Sequence, residues 1–200
     1  MTDRNDDLHG NAPDAHPVAL LLVDVINPLD FPEADEFLRH ALPAARKIAA
    51  LKRRATEAGV PVVYANDNFG RWRSDLSAVV ERCLEPGCKG RPLCEALRPG
   101  EQDYFVLKPK HSAFYSTTLD ILLRALKTRA LVICGFAANI CVLFTANDAY
   151  MRDLRLLVPA DCVASNTAEQ NEAVLAQMAN VLKADISPSA NVDLAALSRG

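Results

Sequence analysis

Short runs that are apolar throughout alternate along this chain with longer stretches whose apolar residues return every third or fourth position. "PVALLLVD", residues 17–24, is such a run, of the kind found in strands covered on both faces. Beyond it, Ile48, Leu51 and Ala55 predict a helix that opens with Pro43 in its first turn and stops at Gly59 and Pro61. "VPVVYAN" predicts a second strand, and "DYFVLKPK" a third that Pro109 ends. Residues 70–100 between them are the least regular part, with one helix expected around Ser77 to Leu84. Thr117-Thr118-Leu119-Asp120 resembles a helix-capping box, followed by Leu119, Leu122, Leu123 and Leu126 on one face. "ALVICG" predicts the fourth strand, and the stretch from about Asn139 to Met151 is apolar on most sides, which predicts a deeply buried helix. "LRLLVPAD" predicts the fifth strand. Thr167-Ala168-Glu169-Gln170 is a second capping box, opening a helix with Val174, Met178 and Val181 inward, and "ADISP" predicts a short sixth strand.

Strands interleaved with helices in this way imply an α/β fold. The expected form is a three-layer α/β/α, Rossmann-like arrangement: a six-stranded parallel sheet with helices on both faces. Two hundred residues, half of them hydrophobic, suffice for one domain with a proper core, expected over residues 17–200. Residues 1–16 are polar and acidic, without the basic-then-apolar pattern of a signal peptide, and read as a disordered tail on a cytoplasmic protein. A net charge of -3 argues against a nucleic-acid partner, and no apolar run approaches the ~20 residues that span a bilayer. Six cysteines are present. Cys83, Cys88 and Cys94 form the one cluster, but without a paired CxxC or a nearby histidine they read as free thiols rather than a zinc site. Cys134 and Cys162 read as core.

Ligands of open parallel sheets bind beyond the carboxyl ends of the strands. The residues there are Asp24 after the first strand, Asn66-Asp67-Asn68 after the second, Lys108 at the end of the third, Asp161 after the fifth, and Cys141 in the helix after the fourth. Asp24, Lys108 and Cys141 have complementary chemistry. A nearby ammonium and a helix N-terminus favour the thiolate. A carboxylate can take the thiol proton and return it to a leaving amine, and backbone N–H groups at the helix start can hold an oxyanion. Such a set suits acyl transfer from an amide, although strand-end polar residues are often mere caps.

At these residues the sequence resembles the isochorismatase-like cysteine hydrolases, a superfamily that includes nicotinamidases and carbamoyl-group amidases. "LLLVDVINPLDF" resembles the aspartate block, "VLKPKHSAFYSTTLD" the lysine block, and "LVICGFAANICVLFTANDAYMRDLRLLVPADCVAS" the nucleophile block. The resemblance implies Asp24 as proton acceptor, Lys108 as the stabilising amine and Cys141 as nucleophile. It also implies a cis peptide at Phe136–Ala137, with the N–H groups of Ala137 and Cys141 forming the oxyanion hole. Ile26 stands where the family often has glutamine. The Asp-x-His metal element of nicotinamidases is replaced by Asp67-Asn68-Phe69, so neither a metal nor another cofactor is expected. Isochorismate hydrolysis is associated with members lacking the cysteine, so Cys141 points toward C–N hydrolysis.

Candidate pocket residues are Phe31, Asn68, Trp72, His111 and Phe114. Trp72 lies between Arg71 and Arg73, which suits a planar or carboxylate-bearing substrate or a subunit contact. The expected partner is a small amide or ureido substrate, and the resemblance implies a homo-oligomer, dimer or tetramer. Two alternatives stand beside this reading: hydrolysis of an isochorismate-like vinyl ether, and a catalytically silent interaction module on the same scaffold.

Overall fold

The computed structural model describes residues 15–67 and 75–199. The sheet is formed by β1 (Val18–Val23), β2 (Val62–Asp67), β3 (Tyr104–Lys108), β4 (Ala130–Phe136), β5 (Arg155–Leu157) and β6 (Val163–Ala164). Its order is β3-β2-β1-β4-β5, with β6 also paired to β4, and every pair is parallel. All six residues of β1 and all seven of β4 are buried, as the unbroken apolar runs require.

Alternate residues of β1 serve opposite layers. Val18, Leu20 and Leu22 join a core with α1 (Ala34–Glu57), α2 (Leu76–Leu84) and α3 (Arg91–Ala96). Ala19, Leu21 and Val23 join a second core with α4 (Leu119–Ala125), α5 (Leu143–Tyr150) and α6 (Ala168–Leu182). A last helix, α7 (Leu194–Arg199), follows. Among the described residues no helix is long and apolar enough to cross a membrane.

Several sequence expectations change. The first helix starts at Ala34, leaving Pro43 in its interior. Ala34, Phe37, Ala41, Ala44, Ala45, Ile48, Leu51 and Ala55 keep one buried stripe on both sides of the proline, and this burial overrides one missing N–H. The sixth strand is Val163–Ala164; "ADISP" contributes only an isolated bridge from Asp185 to Leu157. At the second capping box Thr167 accepts from the Gln170 N–H. In the first, Thr117 accepts from the Leu119 N–H. On α6, Leu175 and Leu182 share the inner face with Val174 and Met178, while Val181 is 59% exposed. The helix after β4 is buried only through its small residues, Thr145, Ala146 and Ala149; Phe144 and Met151 face outward at 52% and 78% exposure.

The strand order places the site. The crossovers from β1 to β2 to β3 run outward on one side, and the chain then returns past β1 to lay down β4. In open α/β sheets ligands bind where the winding reverses, which here is at the carboxyl ends of β1 and β4. Gly135 makes that junction close: its φ is 126°, and a Cβ there would sit 2.0 Å from the Val23 carbonyl oxygen.

Candidate active site

Asp24 follows β1 directly and takes a left-handed φ of 51°, which aspartate tolerates better than most residues. Its N–H donates to the Ala65 carbonyl at 2.9 Å, tying the strand end to β2. The carboxylate accepts from the Asp67 N–H at 2.6 Å and pairs with Lys108 Nζ at 2.7 Å. Lys108 ends β3, two strands away from β1, and its register neighbour on β2 is Asp67. Only a long side chain spans that gap. The Lys108 side chain is fully buried, and its ammonium also donates to the Lys110 carbonyl at 3.1 Å and lies 3.6 Å from the Asp67 carboxylate.

β4 delivers the thiol. The Phe136–Ala137 peptide is cis, and Ala138–Val142 forms a single π-helical turn in which the Val142 N–H reaches the Ala137 carbonyl at 3.2 Å. Cys141 on this turn is half-buried, with Sγ 3.5 Å from Lys108 Nζ. On its other side Sγ lies 3.7 Å from His111 Nδ1. The sulfur therefore sits between a buried ammonium and an exposed imidazole.

Burial dominates the protonation of this cluster. It pushes Asp24 above its ordinary value, against the pull of Lys108, the Cys141 contact and the Asp67 N–H. Burial also works against the Lys108 charge, but Asp24, Cys141 and Asp67 together outweigh it and raise the amine. For Cys141, burial and then the Asp24 charge push the thiol up to about 12, and Lys108 only partly offsets them. A thiolate favoured by the ammonium and the helix start was the expectation from sequence. The resting group is instead a protonated thiol, because desolvation and the nearby carboxylate exceed the pull of the amine.

The Isochorismatase domain model matches residues 18–187. The chain belongs to the isochorismatase family. It is 42% identical over 169 residues to an uncharacterized isochorismatase family protein of Bacillus subtilis, covering 84% of this chain and 92% of that one. A shorter match, 42% over 81 residues, links it to a ureidoacrylate amidohydrolase of Methylorubrum extorquens, spanning 40% of this chain and 33% of the relative. Among solved structures, the N-carbamoylsarcosine amidase of Thermoplasma acidophilum is similar at 26% identity and a TM-score of 0.67, over 88% of this chain and 98% of that one.

In this isochorismatase-family protein the side chains of Asp24, Lys108, Cys141 and His111 come together. Phe31 is half-buried; its ring meets Phe37 edge-on at 5.9 Å, and Phe37 meets Phe136 at 5.8 Å. Phe114 is buried with the Arg152 guanidinium 4.5 Å from its ring, an arrangement that belongs to the α4–α5 side of the core. Asn68, Trp72 and the flanking arginines lie outside the described residues. Ile26 is fully buried, and its backbone N–H and carbonyl are both held by the Asn66 side chain. Cys83 and Cys94 are buried in the α1–α3 core, across the sheet from Cys141, as are Cys134 and Cys162. Among the described residues no group of three or more His, Cys, Asp or Glu is placed to hold a metal ion.

Sequence reasoning missed Asp67 as part of the charge cluster. Its signal was available: Asn66-Asp67-Asn68 and Lys108 stand at the ends of two consecutive predicted strands, so neighbouring parallel strands would set them close together.

Proposed function

We propose that this protein hydrolyses a C–N bond of a small amide or ureido compound through a thioester on Cys141. One observation carries the reading: the Lys108 ammonium lies 2.7 Å from the Asp24 carboxylate and 3.5 Å from the Cys141 sulfur. As Sγ bonds to the substrate carbonyl carbon, its proton passes to Asp24, and the carbonyl electrons move onto oxygen. The N–H groups of Ala137 and Cys141 hold that oxyanion in this scheme. Collapse breaks the C–N bond, and Asp24 returns the proton to the leaving nitrogen, releasing ammonia or an amine. Water then attacks the thioester with Asp24 as base, giving the acid and the free thiol. Lys108 stabilises the anionic states throughout, and no cofactor enters any step.

The high thiol value fits this order of events, because the proton leaves sulfur only during attack, toward a carboxylate that shares the Lys108 ammonium with it. Two relatives, a ureidoacrylate amidohydrolase and an N-carbamoylsarcosine amidase, support the C–N class. Phe31 and His111 are placed as pocket residues in this reading. It also includes a cytoplasmic homo-oligomer, for which the exposed Ile140, Phe144 and Met151 offer apolar surface; light scattering reads its mass.

Ammonia release from a panel of small amides and carbamoyl compounds, in wild type and Cys141→Ala, tests the reaction. Turnover confined to wild type is the expected result. Turnover of an isochorismate-like vinyl ether that survives Cys141→Ala would replace this reading.

A further inference from the structure

The mechanism leaves a polar cluster unused between α5 and the segment after β3. Ser112 is buried, donates its hydroxyl to the Asp148 carboxylate and accepts the Phe114 N–H at 3.1 Å. Thr145 is fully buried, and its Oγ1 accepts the Ala113 N–H at 3.0 Å. The other Asp148 oxygen meets Arg152 Nη1 at 3.4 Å. That guanidinium also pairs with Asp120 at 3.2 Å and lies 4.5 Å from the Phe114 ring. Residues 112, 113 and 114 are therefore each held from α5 or from the turn just beyond its end.

Thr145 and Asp148 come four and seven residues after Cys141, the spacing of one helix face. The same segment that meets these two anchors also meets the sulfur, through Lys108 Nζ at 3.5 Å and His111 Nδ1 at 3.7 Å. Two residues before Ser112, the Lys110 carbonyl accepts from the Lys108 ammonium at 3.1 Å. Lys108 is thus fixed from two directions. One is Asp24, at 2.7 Å, and the other is a carbonyl whose position is set from the nucleophile's own helix.

We propose that Asp148 and Ser112 are positioning residues of this site: their hydrogen bond holds residues 110–112 against the helix of Cys141, which places the Lys108 ammonium and covers the sulfur. They act through Lys110 and Lys108, not on the reacting atoms. This inference rests on Cys141 and Lys108 as the reacting pair but not on the choice of substrate. Without the anchor the segment lifts from the sulfur and water enters. The burial that is the main cause of the thiol's rise to about 12 is then relieved.

The test needs no substrate. Alkylation of Cys141 by iodoacetamide is followed by peptide mass spectrometry between pH 9 and 12, the interval of its raised midpoint. The Asp148 side chain is 35% exposed, so Asp148→Ala leaves the core intact, and Ser112→Ala removes the same bond from its other end. In both variants the midpoint is expected to fall by about one unit or more, with Cys141 alkylated about tenfold faster than wild type at the low end of the range. Asp148→Asn, whose amide oxygen still accepts from Ser112, should restore the wild-type profile. Asp120→Ala, which takes one partner from Arg152 and leaves Asp148 in place, should keep it. Asp24, Asp67, Lys108, Lys110 and His111, the charged and titratable groups around the sulfur, are intact in every variant. The half-buried Cys88 should react alike in all of them, which separates this shift from a general loosening of the fold. Identical Cys141 profiles in wild type, Asp148→Ala and Ser112→Ala would overturn the proposal, as would an equal shift in Asp120→Ala. Loss of the amidohydrolase reading shows up separately, as turnover that survives Cys141→Ala.

Discussion

The three central side chains depend on one another's charges, so single substitutions should have effects of opposite kinds. In Asp24→Asn the proton acceptor is lost, and hydrolysis should fall by about 10²–10⁴-fold. The same change removes the carboxylate charge that helps hold the Cys141 thiol up at about 12, leaving Lys108 as the charged neighbour. The thiol midpoint should therefore move down even as activity disappears, which ultraviolet thiolate absorbance will show. A midpoint that stays put would mean that burial alone sets it. Lys108→Met strands a buried carboxylate, and breaking such a pair costs about 3–5 kcal/mol. Urea unfolding should show that loss, and the double variant Asp24→Asn/Lys108→Met should recover most of it, since the carboxylate that remains, Asp67, is partly exposed to water.

At the scale of elements, Pro43 and Gly135 make contrasting tests. Pro43 is exposed in the interior of a 24-residue helix, where its ring crowds the carbonyl four residues back and supplies no N–H. Pro43→Ala restores the donor, partly offset by a more flexible unfolded chain, and should stabilise by roughly 1–2 kcal/mol. A lowered melting temperature would show that the proline sets a bend the core needs. Gly135 has no such latitude. A methyl at this position meets the Val23 backbone, and the φ of 126° is strained for any other residue. Gly135→Ala should lose more than about 4 kcal/mol, read as loss of soluble protein or of cooperative unfolding, because it forces β1 and β4 apart where the site is built.

For the whole molecule, the site predicts how stability depends on pH. Lys108 is raised above 10.5, so its contribution is present below that value and lost as pH rises through its folded value. Cys141 is raised from 9.0 to about 12, so its contribution is full below 9 and fades across that interval. Asp24 is raised from 3.8, so its part is present below that value and declines as pH climbs through the folded one. All three signs agree that the cluster's contribution declines as pH rises, for Asp24 from above 3.8 and for Cys141 and Lys108 in the alkaline range. Wild-type stability should fall more steeply between pH 9 and 12 than that of Cys141→Ala, as denaturant midpoints across pH will show.

The order of elements was legible because strand and helix periods are written between near neighbours in the chain. "PVALLLVD" and "ALVICG" could only be covered strands, and an aspartate, a lysine and a cysteine followed at the ends of three elements. Pro43 and "ADISP" were misread where local rules met distant packing: a stripe of alanines and Phe37 extended one helix, and β6 took the place beside β4. Across-strand facts needed the fold itself. The strand order put Asp24 and Cys141 on either side of the reversal, made Lys108 reach over the end of β2, and set Asp67 beside it. Burial then kept the thiol protonated, the opposite of what its charged neighbour alone suggested. The sequence by itself determined which groups stand at the strand ends. Only the tertiary structure decided which of them touch and which hold their protons, because desolvation and register depend on residues far apart along the chain.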